Sequence, residues 1–350
     1  MKYLKMFNES TNISEIEAIC EIYNITNYTI NDDDSIDVNG DVDLRRKKLK
    51  ELPLKFRKVS GNFHCEFNKL TTLEGAPKRV YGDFNCSDNQ LTSLEGAPQS
   101  IGGYFSCSYN QLTSLEGAPQ SVGGFFECIS NHLTSLEGGP QNISGDFDCN
   151  DNQLTTLEGA PQRVAGNFYC ISNHLTSLEG GPQSVGGGFY CNDNQLTSLV
   201  GCPQSVGEGF YCSINKLTSL VGSPQRVGGD FECNNNNLTS LEGVPKRVSG
   251  LFLCYSNNLK NIDYLPKYYK ELNISHNPIT KIIDLFTKPD EYDQISNITD
   301  KELIMDFIDV EIIQQDKLLV NRLVEFLDDI GKPKSREELI ELLKKDYEIR

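Results

Sequence analysis

One cysteine recurs at a fixed step through most of this chain. Cys65, Cys86, Cys107, Cys128, Cys149, Cys170, Cys191, Cys212, Cys233 and Cys254 follow one another every 21 residues. The text between them repeats too, as in Phe84-Asn-Cys86-Ser-Asp-Asn89-Gln-Leu91-Thr-Ser-Leu94-Glu-Gly96-Ala-Pro98. Self-similarity at a fixed period of this length marks a solenoid, in which each coil touches only its neighbours. The 350 residues therefore need not divide into two compact domains, as length alone would suggest.

Within the period, Phe84 and Cys86 are two residues apart, so both side chains leave one face of a short strand. Asn89, Leu91 and Leu94 follow. This spacing resembles the leucine-rich repeat, L-x-L-x-x-N-x-L-x-x-L, with Phe and Cys in the two strand positions. The 21-residue length resembles the short bacterial type, and the wording Leu-Thr-Ser-Leu-Glu-Gly-Ala-Pro is similar to repeat proteins of giant DNA viruses and tailed phages. The resemblance covers roughly Gly40 to Ile283. It implies parallel β coils and a concave strand face as the usual contact surface.

The expected architecture has three parts. Residues 1–39 read as an N-terminal cap, with a helix begun by Ser14 and a hairpin joining Tyr28–Ile30 to Ser35–Val38. Residues 40–283 read as a leucine-rich-repeat-like solenoid of about twelve coils with a nearly helix-free convex side. Gly96 supplies a backbone angle that a side chain resists, and Pro98 starts an extended segment. Residues 284–350 read as an α-helical C-terminal cap, with apolar spacing over 300–309, 315–329 and 335–347 and a capping box of Ser335 and Glu338.

The Asn of the repeat is unbroken from Asn68 to Asn277, and an inward Asn can satisfy backbone groups of adjacent turns. The ladder cysteines read as small core residues carrying free thiols, which implies a reducing compartment. That places the chain in a cytoplasm, or in the host cytoplasm or virion if it is viral. No C-x-x-C pair, P-loop, G-x-S-x-G or H-E-x-x-H occurs. The expected C-terminal helices carry no Cys or His for catalysis. His132 and His174 stand two coils apart, about 10 Å at strand spacing, too far for one metal ion. The reading is non-enzymatic, with no cofactor and no metal. A net charge of −17 argues against nucleic acid and against anionic membrane surfaces. No apolar run is long enough to span a bilayer, and the first residues lack the pattern of a signal peptide.

Function is expected where the repeat varies. The residue between Phe and Cys faces outward and changes from coil to coil. Tyr169, Tyr190 and Tyr211 occupy it consecutively, with Glu127 and Asp148 before them and Glu232 after. Ile129, Ile171 and Tyr255 lie one step over, and Tyr104 and Phe125 lie on the other side. Aromatic anchors ringed by charge are the composition of a protein-binding surface, although tyrosines also stack on sheets simply as good strand formers. The expected function is binding of a protein partner on the concave face. The alternatives are a structural component of a virion or other assembly, and an acidic inhibitor that imitates nucleic acid.

Overall fold

The computed structural model describes residues 13–288, residue 295 and residues 298–350. The chain forms two units: Met1–Leu175 with Glu179–Gly187, and Thr176–Leu178 with Gly188–Arg350. Both contain the same 21-residue coil.

Each Phe-x-Cys segment contributes a strand of two residues, or three at Leu251–Leu253, that pairs in parallel with its neighbours. In the first unit Phe63, Phe84, Phe105, Phe126, Phe147 and Phe168 stand opposite one another in register. In the second unit Phe189, Phe210, Phe231, Phe252 and Leu272 do the same. Slipping any strand by one residue would turn its Phe to solvent, so burial fixes the register. All of these side chains are fully buried, each contributing about 2–3 kcal/mol. Neighbouring rings stack, as for Phe63 and Phe84 with centroids 5.3 Å apart and planes 8° from parallel.

The cysteines fill the narrower space beside the rings. All twelve in the chain are buried with free thiols. Several donate to the next coil's backbone, Cys65 Sγ to Asn85 O at 3.3 Å and Cys191 Sγ to Tyr211 O at 3.3 Å. Burial pushes the Cys86 and Cys254 thiols up, away from the thiolate form.

Asn110 shows what the Asn column does. Its Nδ2 donates to Cys86 O at 3.1 Å, Cys107 O at 3.0 Å and Ser108 O at 3.2 Å. Its Oδ1 accepts from Leu91 N at 2.9 Å. One side chain thus satisfies backbone groups of two coils that no water reaches. Aiming it inward needs a sharp bend, and the preceding residue takes a left-handed conformation in coil after coil, as at Asp88, Tyr109 and Asn235. Even β-branched Ile214 adopts it, with φ 56°, a conformation costly for that residue type. The sequence reading placed the special backbone angle only at the glycines. Gly96 does have φ 89°, and a Cβ there would stand 2.8 Å from Leu73 O of the coil before.

After Pro98 the chain forms a second short strand rather than a bare extended segment. Val38, Val59, Val80, Ile101 and Val122 pair in parallel in the first unit, as do Ile143, Val164 and Val185. Val206, Val227 and Val248 pair likewise in the second. The coils up to Val248 therefore have two ladders, the Phe ladder and the Val ladder, and no helix on the far side, whereas the last coil carries the short helix Thr280–Ile283.

At the N-terminal end residues 13–22 are helical, so Ser14 lies inside the helix rather than capping it. Tyr28–Ile30 and Ile36–Val38 form the antiparallel hairpin, whose second strand is also the first rung of the Val ladder. At the C-terminal end the helices are Thr280–Ile283, Ile298–Asp309, Val320–Asp329 and Arg336–Leu343. The expected helix over 315–329 starts later, because Lys317–Leu318 pairs with Ile313–Gln314 and Glu348–Ile349 in a three-stranded sheet. The region is therefore not purely helical. Ser335 and Glu338 do form the capping box. Phe286, Phe307 and Phe326 pack together, and Tyr347 Oη donates to Lys260 O of the last coils at 2.9 Å.

Candidate binding face

Alternation along the Phe ladder turns the residue after each Phe away from the core. Tyr169, Tyr190, Tyr211, Glu127, Asp148 and Glu232 are all half-buried, while the Phe and Cys on either side of each are buried. In the second unit Tyr190 stands opposite Tyr211, and Tyr211 opposite Glu232. The two tyrosine rings lie 4.5 Å apart and within 6° of parallel.

Their position depends on the residue before each Phe. A Cβ at Gly188 would meet Tyr190 Cε2 at 2.8 Å, and one at Gly209 would press on the Tyr211 ring. The rings lie flat over two glycines. Burial raises the Tyr211 hydroxyl above its usual pKa, with Tyr190, Asp230 and Glu232 adding to the effect. Burial also raises Glu232, beside Asp230.

The first unit presents a different face. Glu127 stands opposite Asp148, and Asp148 opposite Tyr169. Burial raises the Asp148 carboxyl to about 6, opposed by a hydrogen bond from Asn150 N and helped by the Glu127 charge. Tyr104 is half-buried, and its hydroxyl accepts from Asn85 Nδ2 at 3.3 Å. Phe125 is exposed. Ile129 and Ile171 are half-buried, their backbone N–H groups held by Ser108 Oγ at 3.1 Å and Asn150 Oδ1 at 2.6 Å. Tyr255, in the second unit, is half-buried as well.

Tyr190, Tyr211 and Glu232 are thus brought together in one unit, and Glu127, Asp148 and Tyr169 in the other. Two features escaped the sequence reading. One is the pair Gly188 and Gly209, whose signal is in the sequence: where Asp83 and Asp146 precede Phe in other coils, these two coils carry Gly and place Tyr after Phe. The second feature is Glu66, 5% exposed, with Arg45 Nε 3.8 Å and His64 Nδ1 3.6 Å away. Its burial raises the carboxyl's pKa. A single Glu among repeats gives no hint of such enclosure.

No protein-family model matches the chain, and no curated protein is a significant match. Among solved structures, the chain is similar to YopM, a leucine-rich effector protein from Yersinia pestis. The TM-score is 0.44 at 22% identity, covering 68% of this chain and 72% of that one. No helix among the described residues is long and apolar enough to cross a membrane.

Proposed function

We propose that this chain is a non-enzymatic protein-interaction module that takes its partner on the outward face of the Phe ladder. Tyr190 and Tyr211 are the anchors. In the second unit Tyr255 adds apolar contact and Glu232 adds charge; in the first unit, taken by itself, Tyr169, Tyr104, Phe125, Ile129 and Ile171 offer apolar contact and Glu127 and Asp148 offer charge. The observation that supports this most is the stacked pair seated on Gly188 and Gly209. Its rings are already ordered, so binding costs less side-chain entropy, and large amphipathic aromatics are the usual hot spots of interfaces. The buried free thiols suit a cytoplasm as the place of action.

The test is capture from host extract on immobilised chain, quantified against the Tyr190→Ala/Tyr211→Ala double variant. Each truncation should weaken the partner by roughly 1–2 kcal/mol, about tenfold. Glu95→Gln, on the turn beyond the interior leucines, serves as the control and should bind as wild type does. Capture that survives the tyrosine changes and fails with Glu95→Gln would overturn the reading.

A further inference from the structure

The outward side of the Val ladder in the second unit carries an anomaly for so acidic a chain. Arg226 and Arg247 stand directly opposite each other on adjacent coils. Strand spacing puts their backbones about 4.8 Å apart, where like charges repel. With Gln204, Gln225, Lys246 and Tyr268 they line one depression, to which no carboxylate contributes. No ion pair among the described residues holds Arg226, Lys246 or Arg247, although the chain has 49 acidic residues to draw on. Tyr268 is 66% exposed beside them.

The first unit shows what a neutralised version of this arrangement looks like. There Lys58 stands opposite Arg79 on the same ladder. Both cations lie over the Tyr81 ring, at 5.1 and 5.9 Å from its centroid, and adjacent Arg57 is paired with Asp37 at 2.6 Å. Among the described residues neither device acts on Arg226, Lys246 or Arg247, although the second unit has both elsewhere, as in Lys301 over the Tyr269 ring at 5.2 Å and Lys317 paired with Glu348 at 2.8 Å.

We propose that the surface of Gln225, Arg226, Lys246, Arg247 and Tyr268 is a second docking site, one that takes a short acidic segment of a protein. Two guanidinium forks at strand spacing suit successive carboxylates, each able to bind bidentately. Tyr268 offers an apolar and aromatic edge next to them. The strip spans only about three coils, roughly 10–15 Å. That is too short for the many phosphate contacts on which nucleic-acid affinity rests, and the net charge of −17 repels a long polyanion. Two or three acidic side chains meet neither obstacle.

Fluorescence anisotropy with a labelled Glu-Glu-Asp-Glu-Glu-Gly peptide at low salt tests this on the full chain. Wild type should bind the peptide and lose it as salt rises, and the Gln-Gln-Asn-Gln-Gln-Gly analogue should bind at least tenfold more weakly. The Arg226→Gln/Arg247→Gln variant should lose at least tenfold, with unchanged melting because both side chains are exposed. Arg163→Gln, an exposed Arg on the Val ladder of the first unit, should change nothing, and neither should Tyr190→Ala/Tyr211→Ala, which separates this site from the one on the Phe ladder. Equal binding by the double Arg variant, or no binding by wild type, overturns the proposal. Tighter binding of a ten-nucleotide oligothymidylate than of the acidic peptide overturns the class of partner.

Discussion

The two units share an interior and differ on the surface. In the first, the slot before each Phe often holds Asp or Asn, whose side chain accepts the corresponding N–H of the next coil. Asp41 holds Asn62 N at 2.7 Å, Asn62 holds Asp83 N at 2.8 Å, Asp83 holds Tyr104 N at 2.9 Å and Asp146 holds Asn167 N at 2.7 Å. In the second, Asp230 keeps this bond, holding Leu251 N at 2.8 Å, while Gly188 and Gly209 give the slot up and tyrosine rings lie over them. One solution spends the slot on the stability of the coil, the other on an ordered aromatic surface. Because the interior is common to both, the surface can change coil by coil without altering the fold.

The largest expected effect tests the shared interior. Asn152 and Asn215 each make the same four hydrogen bonds, in different units: Asn152 to Cys128 O, Cys149 O, Asn150 O and Leu133 N, and Asn215 to Cys191 O, Cys212 O, Ser213 O and Leu196 N. Leu at either position leaves several buried groups without partners, at about 1–3 kcal/mol each. Urea midpoints should fall by a similar, large amount for both. The same change at Asn68 should cost less, because an end coil can fray. A large loss in one unit and none in the other would mean that the interiors are not equivalent.

A second prediction concerns the acidic part of the first unit's face. The folded pKa of Asp148 is raised to about 6, above the unfolded value of about 3.9. Between these values the folded chain binds more protons than the unfolded one, so the group's contribution to stability falls as pH rises through that window. Asp148→Asn should therefore stabilise the chain at pH 7 by on the order of 2 kcal/mol, and have little effect near pH 4. Asn keeps an oxygen for the Asn150 N–H. Melting temperatures of the two proteins across pH 4–8 give the answer, and a gain that grows toward acid would reverse the assignment.

The smaller third effect is the Asx slot itself. Asp83→Ala removes the acceptor of Tyr104 N and should cost about 1 kcal/mol by urea denaturation. Asp83→Asn retains an oxygen and should cost less. Equal losses for the two would show that charge, not the hydrogen bond, matters at this slot.

The period, the Phe and Cys positions and the Asn column made the fold legible, because each is an interior demand that every coil must meet. The Val ladder was half-visible, read only as an extended segment after Pro98. The left-handed bend before each Asn was hidden, since Asp, Tyr, Ser, Asn and Ile all occupy it and no residue type marks it. At the C-terminus, Lys317 and Leu318 read as helix by apolar spacing, and pairing with Glu348–Ile349 prevailed over that local pattern. The outward column was readable as a list of residues. What it could not tell is how a tyrosine lies, since this depends on the absence of a Cβ two positions earlier.

That dependence admits one direct measurement, a double-mutant cycle on Gly209 and Tyr211 read by urea denaturation. In wild type, Gly209→Ala drives a methyl into the Tyr211 ring and should cost about 1–3 kcal/mol. In the Tyr211→Ala background the clash is gone, and the same change should be neutral or stabilise by about 0.4–1 kcal/mol through the unfolded state. A coupling energy of at least about 1 kcal/mol is the expected result. Equal effects of Gly209→Ala in both backgrounds would mean that the ring does not rest on the glycine, and the ordered aromatic surface would be contradicted.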